Sequence, residues 1–100
     1  MKYYRHVPAC GRYQAYVFEL TTLKPEDYVQ LKAFIQTLGE QRYPQSLPVM
    51  RIKHRAFFID FPAYGFPYFK VSFYRHSTQT LIEAQLKLIN DFLNHINNNN

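Results

Sequence analysis

The tract from residue 49 to residue 76 combines bulky rings with cations in an order that favours β-strands. It holds nine aromatic residues, five Lys or Arg and two His, with Asp60 as its one acid. Successive side chains of a strand point to opposite faces of a sheet. We therefore expect this tract to build a sheet that has an apolar face and a cationic face.

Residues 68–75 show the clearest alternation of the tract. Their apolar side consists of Phe69, Val71 and Phe73. Their polar side consists of Tyr68, Lys70, Ser72 and Tyr74. Tyrosines that point outward with a lysine between them are compatible with base stacking and phosphate pairing.

Residues 49–53 and 56–61 predict two more strands. Met50 and Ile52 point to one side of the first, and Arg51 and Lys53 point to the other. The second is rich in Phe and Ile, and we expect its Phe58 in the core. Residues 53–55 lack Gly and Asn, so a tight hairpin and one long bent strand are both compatible with the sequence.

Two amphipathic helices follow from apolar residues at intervals of three and four. The first spans residues 25–38, with Pro25 in its first turn and Gly39 as its stop. The second is predicted to begin near Leu81, behind a capping box formed by Thr80 and Glu83.

The predicted fold is α+β, in the order β-β-α-β-β-β-α. Residues 1–20 supply the leading strand, turn and strand, and residues 40–48 read as a loop. The antiparallel sheet has three to five strands, and both helices pack on one of its faces. We expect a single domain over residues 1–96 and a polar tail over residues 97–100.

The composition argues against a disulfide-linked protein, a membrane protein and a protein that holds a metal or a cofactor. Cys10 is the one cysteine among 100 residues, which excludes an internal disulfide. No apolar stretch approaches the length of a bilayer span, so the sequence predicts no membrane partner and a cytoplasmic location. No cofactor motif occurs, and His6 with Cys10 lacks further ligands, so we expect neither a cofactor nor a metal.

The net charge of +5 is concentrated in the predicted strands. A basic sheet beside neutral to acidic helices is the footprint of a protein that attracts polyanions. The sequence therefore predicts a small non-enzymatic module that binds nucleic acid, preferably single strands or RNA. The predicted binding residues are Arg51, Lys53, Arg55, Tyr68, Lys70, Tyr74 and Arg75.

Two other functions are compatible with the same residues. Exposed rings with arginines are typical of protein interfaces, which favours a homo-oligomer or an inhibitor or adaptor that docks an acidic partner. His54 and His76 beside arginines are compatible with a metal-independent RNase toxin. The rings of residues 64–69 fit either a binding loop or a hydrophobic lid over the core, and we favour the lid.

Overall fold

The computed structural model describes residues 1–9, 11–43 and 49–98, which form a mixed fold of one sheet and two helices. The strands are β1 (Tyr4–Val7), β2 (Tyr13–Glu19), β3 (Glu40–Arg42), β4 (Met50–Lys53), β5 (Phe57–Phe61) and β6 (Tyr68–Tyr74). The helices are α1 (Pro25–Gln36) and α2 (Gln79–Asn98). All neighbouring strands are antiparallel, in the order β1-β2-β6-β5-β4-β3. The predicted α+β class is confirmed.

Within the described residues the sheet has six strands, so the predicted range of three to five is wrong. The additional strand is β3, in a segment that the sequence assigned to a loop. Its three residues are polar and exposed, and they are held by backbone pairing with β4, which composition does not reveal. Gly39 permits this pairing because it has no Cβ. A Cβ at this position would lie 2.6 Å from the carbonyl oxygen of Lys53 and would clash with it. Residues 44–48, the rest of the predicted loop, lie outside the described residues.

The core lies between the helices and one face of the sheet, here called the inner face. Phe18 of β2 stacks on Phe69 of β6 with ring centres 4.9 Å apart, and both rings are buried. From α1, Tyr28 stacks on Phe61 of β5 at 5.4 Å. The buried residues of α2 are Ile82, Leu86, Ile89, Leu93 and Ile96. They join the same apolar cluster as the inner-face strand residues, which places both helices on that face.

The helix boundaries differ from the prediction at three points. Helix α1 ends at Gln36, two residues before the predicted Leu38. Helix α2 begins at Gln79, because Thr78 rather than Thr80 provides the cap through an Oγ1 that accepts from the Leu81 N–H at 3.2 Å. Helix α2 also includes Asn97 and Asn98, which the sequence assigned to the tail. Residues 99–100 lie outside the described residues.

Strands β4 and β5 form a tight hairpin, which settles the alternatives that the sequence left open. The backbone N–H of His54 donates to the carbonyl of Phe57 at 2.8 Å and closes the turn. The predicted leading hairpin is also present, since β1 and β2 pair from Tyr4 with Phe18 to Val7 with Ala15.

Candidate functional site

The face of the sheet opposite the helices, here called the outer face, carries the predicted cationic and tyrosine side chains. Its centre consists of the small residues Ala15, Val17 and Ser72, all of which are buried. Among the described residues no helix covers them. Phe58 of β5 is the register partner of Ser72 and so lies beside this centre on the same face.

Three aromatic rings on adjacent strands form a ring cluster, defined as Tyr13 of β2, Phe58 of β5 and Tyr74 of β6. The ring centres of Tyr13 and Phe58 are 5.3 Å apart, and those of Tyr13 and Tyr74 are 5.6 Å apart. The third pair, Phe58 and Tyr74, is separated by 6.1 Å. All three side chains are partly exposed, so the cluster presents aromatic surface to solvent.

Arg51 of β4 extends the ring cluster towards the β3 edge. Its guanidinium carbon lies 4.3 Å from the centre of the Phe58 ring, a cation–π contact. The Nε of the same side chain donates to Oδ1 of Asp60 at 2.8 Å, and its second nitrogen donates to Oδ2 at 3.3 Å. The carboxylate therefore fixes the guanidinium in place and neutralises part of its charge.

Three arginines meet at one end of the sheet, here called the basic end: Arg12, Arg55 and Arg75. The backbone N–H of Arg75 donates to the carbonyl of Arg12 at 3.0 Å, which joins the ends of β2 and β6. The turn that contains Arg55 is adjacent, because the Tyr74 N–H donates to the carbonyl of Ala56 at 3.1 Å. All three arginine side chains are exposed, and none forms an ion pair within the described part of the chain.

The predicted binding residues fall into two groups. Arg51, Lys53, Tyr68, Lys70 and Tyr74 lie on the outer face, as the alternation indicates. Arg55 and Arg75 lie in turns at the basic end instead. Tyr68 and Tyr74 occupy opposite ends of β6, about 20 Å apart at the usual rise per strand residue, so they do not share one stacking site.

Sequence reasoning missed three residues of this surface. Phe58 was expected in the core and is on the outer face, because Phe57, Ile59 and Phe61 take the inward positions of β5. The alternation of buried and partly exposed positions along β5 is the sequence signal that could have placed Phe58 on the outer face. Tyr13 joins the ring cluster and Arg12 joins the basic end only through the pairing of β2 with β6, which local sequence does not specify.

The two histidines considered for catalysis lie in the turns after β4 and β6. Nδ1 of His54 accepts the backbone N–H of Ala56 at 3.1 Å, and its ring stacks on Phe57. His76 stacks on Tyr74, with ring centres 5.7 Å apart. Both rings thus have structural contacts, and a catalytic role for either stays a prediction.

The rings of residues 64–69 are divided between the core and the surface: Phe69 is buried, as the favoured lid interpretation requires, whereas the other three are about half exposed. Tyr64 and Phe66 are 52% and 54% exposed, and Tyr68 at the start of β6 is 48% exposed. Beside the loop between β5 and β6 lies an open groove of about 330 Å³. Its lining includes Val49, Asp60, Phe66, Pro67, Tyr68 and Lys70. We name it the β5–β6 groove.

Within the described residues, no group of three or more His, Cys, Asp or Glu side chains could hold a metal ion. Cys10, the proposed companion of His6, is outside them. None of the helices formed by these residues is long and apolar enough to cross a bilayer. Compared with protein-family models, with curated proteins and with solved structures, the chain shows no significant match.

Proposed function

We propose that this protein is a non-enzymatic module that binds single-stranded nucleic acid on its outer face. The observation that carries the proposal is the ring cluster, flanked by the basic end, on a sheet face that no helix of the described residues covers. Aromatic rings provide stacking surface for bases of any type, and a neighbouring band of cations follows the phosphates.

Stacking at the ring cluster favours an unpaired strand. In a duplex the base faces are covered by neighbouring base pairs, whereas a single strand offers them to an aromatic platform. Tyr13, Phe58 and Tyr74 are held by neighbouring strands and by contacts with one another, so little side-chain entropy is lost when a base packs on them.

In this proposal the phosphates are contacted by cations of the basic end and by lysines of the outer face. Arg55 and Arg75 at the basic end, together with Lys53 and Lys70 on the outer face, have no ion pair with any described residue. Arg51 already shares its charge with Asp60, so it acts mainly by holding Phe58. Four phosphate contacts to a single strand give a slope of log Kobs against log salt of about −3.

Fluorescence anisotropy with labelled single-stranded oligonucleotides, measured over a series of salt concentrations, tests this proposal. Arg75→Gln and Lys53→Gln should each weaken binding and reduce the steepness of the salt slope by about 0.7. Lys87→Gln is the matched control, because it removes the same charge from an exposed position on α2. Absence of binding at low salt, or equal effects of all three substitutions, would contradict the proposal.

A second candidate function, a homo-oligomer or protein-docking domain, is supported by the edges of the sheet. β1 and β3 each have one strand neighbour among the described residues, and β3 is exposed at all three positions. Open edges of this kind can pair across a two-fold axis. Sedimentation velocity distinguishes the two functions, since a stable dimer formed by the protein without nucleic acid would favour this second candidate.

A further inference from the structure

The β5–β6 groove lies beside Tyr68, at the end of β6 away from the ring cluster. Its volume of about 330 Å³ is at the lower limit for pockets that bind small molecules. It is therefore suited to one planar ring system rather than to a large cofactor. Phe66 and Tyr68 give it two rings that are each about half exposed.

Two charged groups of opposite sign line the same groove. Asp60 and Lys70 are register partners on β5 and β6, yet they form no ion pair with each other. Lys70 thus has its ammonium group available to an acceptor. Both oxygens of Asp60 accept from Arg51, but a carboxylate has about four lone-pair positions, and two stay available for other donors.

We infer that the β5–β6 groove binds one unpaired guanine base of the strand. This inference rests on the proposed function, because the base arrives on a strand that is held at the ring cluster. Guanine places two neighbouring donors, N1–H and the N2 amino group, beside the acceptor O6. The donors match the carboxylate of Asp60, and Tyr68 packs against the base plane. The acceptor O6 matches one of the three N–H donors of the Lys70 ammonium group, which leaves the other two for a phosphate.

The spacing along β6 fits a strand that reaches both sites. Tyr68 and Tyr74 are about 20 Å apart, with Lys70 between them on the same face. A strand stacked on Tyr74 at one end would pass Lys70 before its next bases reach the groove. The ring cluster then supplies affinity for any sequence, and the groove supplies a preference for one base.

Competition binding with octanucleotides tests this inference. An all-thymine strand is compared with strands in which one thymine is replaced by guanine, cytosine or adenine, and the position of the replacement is scanned. We expect one position at which guanine improves affinity about tenfold over thymine. The ratio between the two strands is measured, because it cancels changes that affect every oligonucleotide equally.

Asp60→Asn and Phe66→Ala should each reduce this ratio to near one. Asp60→Asn also releases Arg51, so its absolute affinities change, and for that reason only the ratio is compared. Phe66→Ala alters an exposed loop side chain and leaves the core intact. Tyr64→Ala is its matched control, since Tyr64 is an equally exposed ring on the same loop that lines a different cavity.

The possible results separate this inference from the proposed function. If no oligonucleotide binds at low salt, both fail. If the all-thymine strand binds and guanine brings no gain, or cytosine or adenine binds better, the guanine assignment alone is overturned. The same holds if Tyr64→Ala lowers the ratio as much as Phe66→Ala does.

Discussion

The guanidinium of Arg51 is held between the ring of Phe58 and the carboxylate of Asp60. It lies 4.3 Å from the ring centre and 2.8 Å from the nearest carboxylate oxygen. The three residues sit side by side on β4 and β5 and point away from the helices. This arrangement keeps the partly exposed ring of Phe58 in a fixed position on a face that is not covered by either helix in the described part of the chain.

Phe58→Ala should weaken the binding free energy for single-stranded oligonucleotides by about 1–3 kcal/mol. The substitution removes one stacking ring, and it also removes the ring against which the Arg51 guanidinium packs. Anisotropy titration at fixed salt measures the change. Leu88→Ala, an exposed apolar position on α2, should leave the affinity unaltered. Phe58→Leu keeps bulk without an aromatic face, so unchanged binding in that variant would show that stacking is not the interaction.

Phe69→Ala and Tyr68→Ala should differ sharply in their effects on stability, although the residues are neighbours. Phe69 is buried against Phe18, so its truncation should cost about 3–5 kcal/mol of unfolding free energy. Tyr68 is half exposed, and its loss should stay within about 0.5 kcal/mol. Urea denaturation gives both unfolding free energies. Similar losses in the two variants would contradict the inward direction of Phe69 and the outward direction of Tyr68.

Gly39→Ala should weaken the pairing of β3 with β4. The new Cβ would meet the Lys53 carbonyl oxygen at 2.6 Å, and relief of that overlap requires movement of backbone. We expect a cost of roughly 1–3 kcal/mol. Gly11→Ala is the control, because a Cβ there would meet no atom of the described residues within 4 Å. Hydrogen exchange of the Glu40–Arg42 amides should accelerate in the first variant and stay unchanged in the second.

Tyr28→Phe should cost about 0.5–1.5 kcal/mol at neutral pH, because the Tyr28 hydroxyl donates to the Pro62 carbonyl at 2.6 Å. Burial also raises the pKa of Tyr28 above its ordinary value of 10.0. The unfolded chain therefore ionises first, so stability is present below about pH 10 and is lost as the pH rises through the folded pKa.

In Tyr28→Phe that alkaline loss should be shallower than in the parent protein. Denaturation midpoints between about pH 8 and pH 11 measure it. Tyr68→Phe is the control, since its ring is half exposed. Equal pH dependence in the parent and Tyr28→Phe proteins would show that ionisation of the partly buried Tyr28 phenol does not contribute to the alkaline loss of stability.

Local pattern was sufficient for the elements with strong periodicity. The alternation in β6 predicts that Phe69, Val71 and Phe73 point inward, and all three are buried. The apolar intervals of α1 and α2 identified both helices, because a helix or strand that buries one side must repeat its apolar residues at its own period. Strand β3 escaped detection because its residues bury nothing and its stability comes from backbone pairing.

The sequence by itself determined the α+β class, the outward direction of Lys70 and Tyr74, and the concentration of positive charge in the strands. Only the tertiary structure decided which strands are neighbours. Pairing of β2 with β6 brings Tyr13 to Tyr74 and Arg12 to Arg75, and pairing of β5 with β6 adds Phe58. These contacts join residues far apart in the chain, and no local propensity or periodicity specifies them, because they depend on how the whole apolar face is buried.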